Sequence, residues 1–203
     1  MDRLAIYDGG GKVVNGLKIK LEASKKTIRL GDNVTFTTVL SNMTDKPMNV
    51  QVGYTTCGNY FGCGSSLRVL KDGKPVPGQW RVGICGTGAG PIYVTIPARS
   101  FVKYTTNGTF TREDGNTVYK VGKFIAFKVP ENGTHQFVVS HRGDAKTNER
   151  YARLYAQKGQ AVKANGALIT PEVMGQGVPP ADLKAPYWAG KVESNTIEIK
   201  VVE

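Results

Sequence analysis

The sequence predicts an all-β protein, an antiparallel sandwich with one short inserted helix. Apolar and polar residues alternate at a period of two in run after run, and Gly, Pro, Asn and Asp cluster between the runs. Helical spacing occurs in one stretch only. Short alternating strands joined by turn chemistry, without intervening helices, describe antiparallel sheets and not a parallel α/β fold.

The clearest strand spans residues 16–23, where Leu17, Ile19 and Leu21 alternate with Lys18, Lys20 and Glu22, so that one face is buried and the other wet. Val34, Phe36, Thr38 and Leu40 repeat the pattern, bounded by Gly31-Asp32 before and a turn over residues 42–47 after. Further strands are predicted at 48–54, 67–70, 80–84, 92–96, 101–105, 118–129, 135–141 and 196–202. Asp72-Gly73 tolerates positive φ at both positions, so residues 67–76 read as a hairpin. Tyr151, Leu154, Tyr155 and Val162 fall near helical spacing, with Asp144 or Thr147 as a cap and Gly159 near the end; a helix is expected over 147–157. Residues 164–186 show no alternation and are expected to form a long loop before the last strand.

Composition narrows the function. With 40% hydrophobic and 21% charged residues in a chain of 203, the protein is globular. No run reaches the roughly 18 to 20 apolar residues needed to cross a bilayer, and residues 1–11 lack the basic and apolar stretches of a signal peptide. The net charge of +11 invites an anionic partner, yet Lys18, Lys20, Lys103, Lys120, Lys123 and Lys128 are spread along strands beside inward apolar neighbours. A solvated outer face is the expectation, with no specific nucleic-acid partner.

Residues 17–21, Ile28-Arg29-Leu30-Gly31-Asp32, 34–40, Ser41-Asn42 and Thr44-Asp45-Lys46-Pro47 resemble the opening strands of immunoglobulin-like sandwiches common in exported bacterial proteins. Residues 188–196, followed by Ile197, Ile199 and Val201, are similar to the closing hairpin of those domains. The first and last strands then lie at opposite ends of the chain. The resemblance therefore implies one immunoglobulin-like domain over residues 1–203, with the helix and long loop inserted at about 142–190. It further implies an extracellular or periplasmic protein that binds or scaffolds. Similar sandwiches occur in proteinase inhibitors and in pro-regions of deuterolysin-like metalloproteases, which supplies the alternative of a protease inhibitor or pro-region-like domain.

Catalytic chemistry is not visible. A zinc protease needs His-Glu-x-x-His, which does not occur. The two histidines, His135 and His141, sit on one face of one predicted strand about 20 Å apart, too far to share a metal, and are expected to be surface or structural groups. No Gly-x-Ser-x-Gly elbow supports a serine triad. Gly86-Thr87-Gly88-Ala89-Gly90 precedes Pro91 and a strand, whereas a phosphate cradle needs a helix there. No enzyme activity, cofactor or metal is expected.

What remains suggests recognition. The stretch 53–66 places Tyr54, Tyr60 and Phe61 among glycines, and aromatics on glycine-rich loops at the end of a sandwich form a contact surface for a protein or cell-surface partner; the alternative is that they pack on the core. Cys57 and Cys63 are the expected disulfide, closing a five-residue, glycine-rich loop. Cys85 paired with either is the competing arrangement, and a three-thiolate metal site or a reduced chain stays open. Arg142-Gly143-Asp144 matches a tripeptide that integrins recognise, although Asp144 also suits a helix cap. Asn33, Asn42, Asn107 and Asn132 begin Asn-x-Thr sequons.

Overall fold

The structure, a computed structural model, describes residues 9–54, 65–76, 78–80, 91–113, 116–121, 125–129, 133–144, 146 and 184–202. The protein is all-β over these residues. The first half holds β1 (Leu17–Ala23), β2 (Thr27–Arg29), β3 (Asn33–Asn42), β4 (Met48–Tyr54), β5 (Ser65–Lys71), β6 (Lys74–Pro75), β7 (Gly78–Trp80) and β8 (Pro91–Ile96). The second holds β9 (Phe101–Glu113), β10 (Asn116–Val121), β11 (Ile125–Val129), β12 (Gly133–Gly143), β13 (Gly190–Glu193) and β14 (Ile197–Val202).

One sheet runs β1-β3-β9-β10-β11-β7, and a second runs β2-β14-β12-β5-β6 with β13 also on β12. A third, two-stranded ribbon joins β4 to β8. Among the described strands every ladder is antiparallel except that of β2 with β14.

The alternation in the sequence explains where the core lies. On β1, Leu17, Ile19 and Leu21 are buried while Glu22 is exposed. Ile19 faces Leu40 across the first pairing, and Leu40 faces Val102 across the next. This inner stripe is covered at one end by the second sheet: Phe36, Phe110 and Tyr119 share a cluster with Val69, Phe137, Val139 and Ile199. At its other end Leu17, Ile19, Leu40 and Val102 pack with Val50, Val94 and Ile96 of the ribbon and with Trp188. Burial of these side chains contributes about 1.5–3 kcal/mol each relative to exposure.

The Asp72-Gly73 hairpin forms as expected. Their φ values are 49° and 73°, and Lys71 opposes Lys74. Other elements depart from expectation. Residues 118–129 are not one strand but two, β10 and β11, paired from Thr117 with Val129 to Val121 with Ile125. The strand at 101–105 continues to Glu113, carried by pairing with β3 and β10, while Thr106 and Gly108 at its inner positions past Tyr104 interrupt the apolar rhythm in sequence. The closing hairpin does not form either. β13 pairs with residues 140–143 of β12 and β14 with residues 133–137, so both lie on the same strand. Between them Ser194 keeps the ladder closed, its N–H donating to the Val139 carbonyl while its hydroxyl accepts from the Val139 N–H. Of the predicted strand at 80–84, Trp80 ends β7, and 81–84 lie outside the described residues. The expected helix at 147–157 and most of the loop at 164–186 lie outside them as well.

Gly108 answers to packing. A Cβ there would overlap the Tyr119 hydroxyl and ring. Tyr119 is fully buried, with its ring centroid 4.5 Å from that of Phe110 and 5.4 Å from that of Phe137, and its hydroxyl has no hydrogen-bond partner among the described residues. Burial accordingly raises the phenol pKa well above its ordinary value. A buried, unbonded hydroxyl costs about 1–3 kcal/mol, so Tyr119→Phe should stabilise the fold by about 1 kcal/mol in urea denaturation. Destabilisation of similar size would contradict the absence of a partner.

Candidate functional site

The proposed contact aromatics divide between what is described and what is not. Tyr54 ends β4 and is the Cα partner of Pro91, the first residue of β8. Tyr60, Phe61, Cys57, Cys63 and Cys85 lie outside the described residues. The ribbon nevertheless determines where their segments begin, since residues 55–64 follow Tyr54 and residues 81–90 lead into Pro91. The two glycine-rich segments are therefore rooted on one pair of residues. A register shift between Gln51 and Gly53 bends the ribbon just before that root.

Buried amides hold the ribbon in place. Asn49 accepts from the Thr95 hydroxyl at 2.6 Å and donates from Nδ2 to the Ala185 carbonyl at 3.0 Å. Its backbone N–H donates to the Pro186 carbonyl, and its carbonyl accepts from the Trp188 N–H at 2.9 Å. The 185–188 segment thus lies along the edge of β4 opposite β8, and Tyr187 meets Tyr93 edge-on at 5.0 Å. Asn42 performs a similar task at the preceding turn. Its Nδ2 lies 2.7 Å from the Lys46 carbonyl and 3.0 Å from those of Ile96 and Pro97, while Oδ1 accepts from the Thr44 N–H and hydroxyl. In the sequence Asn42 reads only as turn chemistry and sequon, and Asn49, taken alone, carries no signal of a role. Their signal was an amide at each end of a strand junction that has to satisfy several carbonyls.

Between that turn and the 186–189 segment lies an open cleft of about 550 Å³, lined by Asn15, Lys46, Pro47, Met48, Tyr187 and Trp188 among others. Asp45 at its rim pairs with Arg99 at 2.8 Å, and the hydrogen bond and charge of that guanidinium lower its pKa. An exposed carboxylate kept ionised in this way does not serve as a general acid. The cleft offers shape and a largely apolar wall.

His135 and His141 both lie on the inner face of β12 and are buried, not surface groups. Neither ring nitrogen of His135 has a hydrogen-bond partner among the described residues. Desolvation lowers its pKa, Lys71 adds to the shift, and the Gly133 backbone opposes it without completing a bond of ordinary geometry. His141 sits 5.4 Å from the Trp188 ring, and desolvation lowers its pKa to about 4. Among the described residues no group of three His, Cys, Asp or Glu could hold a metal ion.

The remaining motifs resolve by position. Gly143, in the Arg142-Gly143-Asp144 tripeptide, is the Cα partner of Gly190, and the Trp188 carbonyl would stand 2.6 Å from a Cβ there. Packing therefore accounts for the glycine. Asn33 and Asn107 are exposed and accept from the Thr109 and Thr35 hydroxyls, whereas Asn42 is fully buried and Asn132 lies outside the described residues. Residues 86–90 also lie outside them, and the element that follows is β8, a strand. Lys18, Lys20, Lys103 and Lys120 occupy outward positions of the first sheet, where Lys20 pairs with Glu22 and Lys120 with Glu113. No helix of the described residues is long and apolar enough to cross a membrane.

Comparison with protein-family models, with curated proteins and with solved structures finds no match to this chain.

Proposed function

We propose that this chain is a non-enzymatic binding or structural module of an exported protein, an immunoglobulin-like sandwich that meets a protein or cell-surface partner through its glycine- and aromatic-rich segments. The observation that carries the reading is the Tyr54 and Pro91 pairing, which roots residues 55–64 and 81–90 together at the end of a ribbon fastened by Asn49 and by the core. Rigid scaffolds that present adjacent loops of this composition are suited to recognition, with Tyr54, Tyr60 and Phe61 supplying apolar contact area at low entropic cost. Two sheets joined by a shared apolar cluster, with β1 and β14 in different sheets, are consistent with a sandwich.

The test uses immobilised full-length chain against an extract of the source cell. Tyr60→Ala together with Phe61→Ala should reduce recovery of a bound partner at least ten-fold, the size of effect expected when anchor aromatics are lost. The thermal transition of the variant, measured beside it, should be unchanged. Equal recovery would remove both residues from the contact.

A further inference from the structure

Residues 184–190 re-enter the fold ahead of β13 and are held by a small set of groups. The Trp188 N–H and the Pro186 carbonyl join the segment to Asn49 of β4, and the Trp188 indole N–H donates to the Val14 carbonyl at 3.0 Å. Asn15 donates to the Ala189 carbonyl at 2.8 Å. The Trp188 ring, 4% exposed, fills the space above Gly143 and rests on the imidazole of His141. A titratable ring therefore forms part of the floor on which the anchoring side chain sits.

We propose that His141 and Trp188 form an acid-sensitive clasp, in which protonation of His141 releases residues 184–190 from β4 and β12 while the two large sheets stay folded.

His141 is 1% exposed, between Ser65 of β5 and Val192 of β13 in the ladder. Among the described residues, the charged groups flanking it are Arg142 and Asp144 on its own segment, Arg68 on β5, Lys191 and Glu193 on β13, and Lys18 and Lys20 on β1. Strand alternation turns Arg142, Arg68, Lys191, Glu193, Lys18 and Lys20 to the outer faces, and Arg68 and Lys191 share Glu193 there. Asp144 is exposed beyond the strand end, and His135 is six residues away along β12. None of them offsets the loss of water around His141, whose titration is governed by desolvation.

The sign follows. The closed state holds His141 neutral, with a pKa near 4, whereas the released, solvated ring titrates near 6.5. The clasp has its full strength above pH 6.5 and weakens as the pH falls from 6.5 toward 4. At pH 5 the opening equilibrium should be about thirty-fold more favourable than at pH 7.5. His135 has a shift of the same sign and belongs to the same strand, so a local readout is needed to separate release from global unfolding.

That readout is amide exchange of the intact chain by NMR at pH 7.5 and pH 5.0, corrected for intrinsic rates. The probes are the Asn49 and Trp188 N–H groups, with Phe36 to Leu40 of β3 as the internal reference. Wild type should show about thirty-fold loss of protection at Asn49 and Trp188 relative to β3. His141→Phe, which keeps a ring against Trp188 without a titrating group, should show none. An equal loss in His141→Phe, or a parallel loss throughout β3, would overturn the proposal. If His141→Phe does not fold, the wild-type His141 Cε1–H resonance decides: an apparent midpoint between 4 and 6.5 that coincides with the exchange transition supports the clasp, and titration without exchange at Trp188 overturns it.

Discussion

Phe137→Ala should lower the unfolding free energy by about 3–5 kcal/mol, the range for truncating a buried aromatic. Phe137 is fully buried on β12, and its ring lies 5.2 Å from Phe36 and 5.4 Å from Tyr119, both on the first sheet. The side chain joins two sheets that share no backbone ladder among the described residues, so its removal leaves a cavity that neither sheet can close by shifting alone. Urea denaturation should show a lower midpoint with little change in slope. A loss below about 1 kcal/mol would mean that the shared cluster does not bind the sheets together.

Asn42→Asp, nearly isosteric, should be as damaging. The substitution removes both Nδ2 protons and aims a carboxylate at the carbonyls of Lys46, Ile96 and Pro97, in a site with no exposed surface. An uncompensated buried charge costs several kcal/mol unless it takes up a proton, and the three carbonyls lose their donor. A loss of about 3–5 kcal/mol at pH 7, partly recovered at lower pH as the carboxyl protonates, is the expected result in chemical denaturation. A variant as stable as wild type would show that the turn is satisfied in some other way.

How much of this could be read in the sequence differed by element. Leu17, Ile19 and Leu21, or Val34 and Phe36, announce a half-buried strand because nothing interrupts the alternation, and Asp72-Gly73 announces its turn because few dipeptides accept positive φ twice. The second half of β9 was hidden because Gly108 gives up its side chain to make room for Tyr119, a partner on the next strand. β2 offers only Ile28 as an inward residue, too short a run for periodicity to register, and it is held by parallel pairing with β14 at the far end of the chain. The break between β10 and β11 falls at Gly122-Lys123-Phe124, where the glycine was a turn signal that the run of apolar residues on either side obscured.

The site was legible in a different way. Composition singles out the aromatic, glycine-rich stretch 53–66, and the ribbon shows that Tyr54, within it, pairs with Pro91, which follows Gly86-Thr87-Gly88-Ala89-Gly90 in the chain. The depth of His135 and His141 was not legible, since a histidine in an alternating strand reads the same whether its face meets water or a second sheet. Trp188 was legible as an apolar side chain closing one end of the core, but not its contacts with Val14, Asn49 and His141, which join chain positions far apart in sequence.

Site-specific photocrosslinking tests the central claim most directly. A benzophenone side chain in place of Tyr60, and in a parallel sample in place of Thr37 on the outer face of the first sheet, should be irradiated in the source-cell extract. The reading predicts a discrete adduct from position 60 and none from position 37. Adducts from position 37 alone, or from neither, would contradict recognition through the glycine- and aromatic-rich segments.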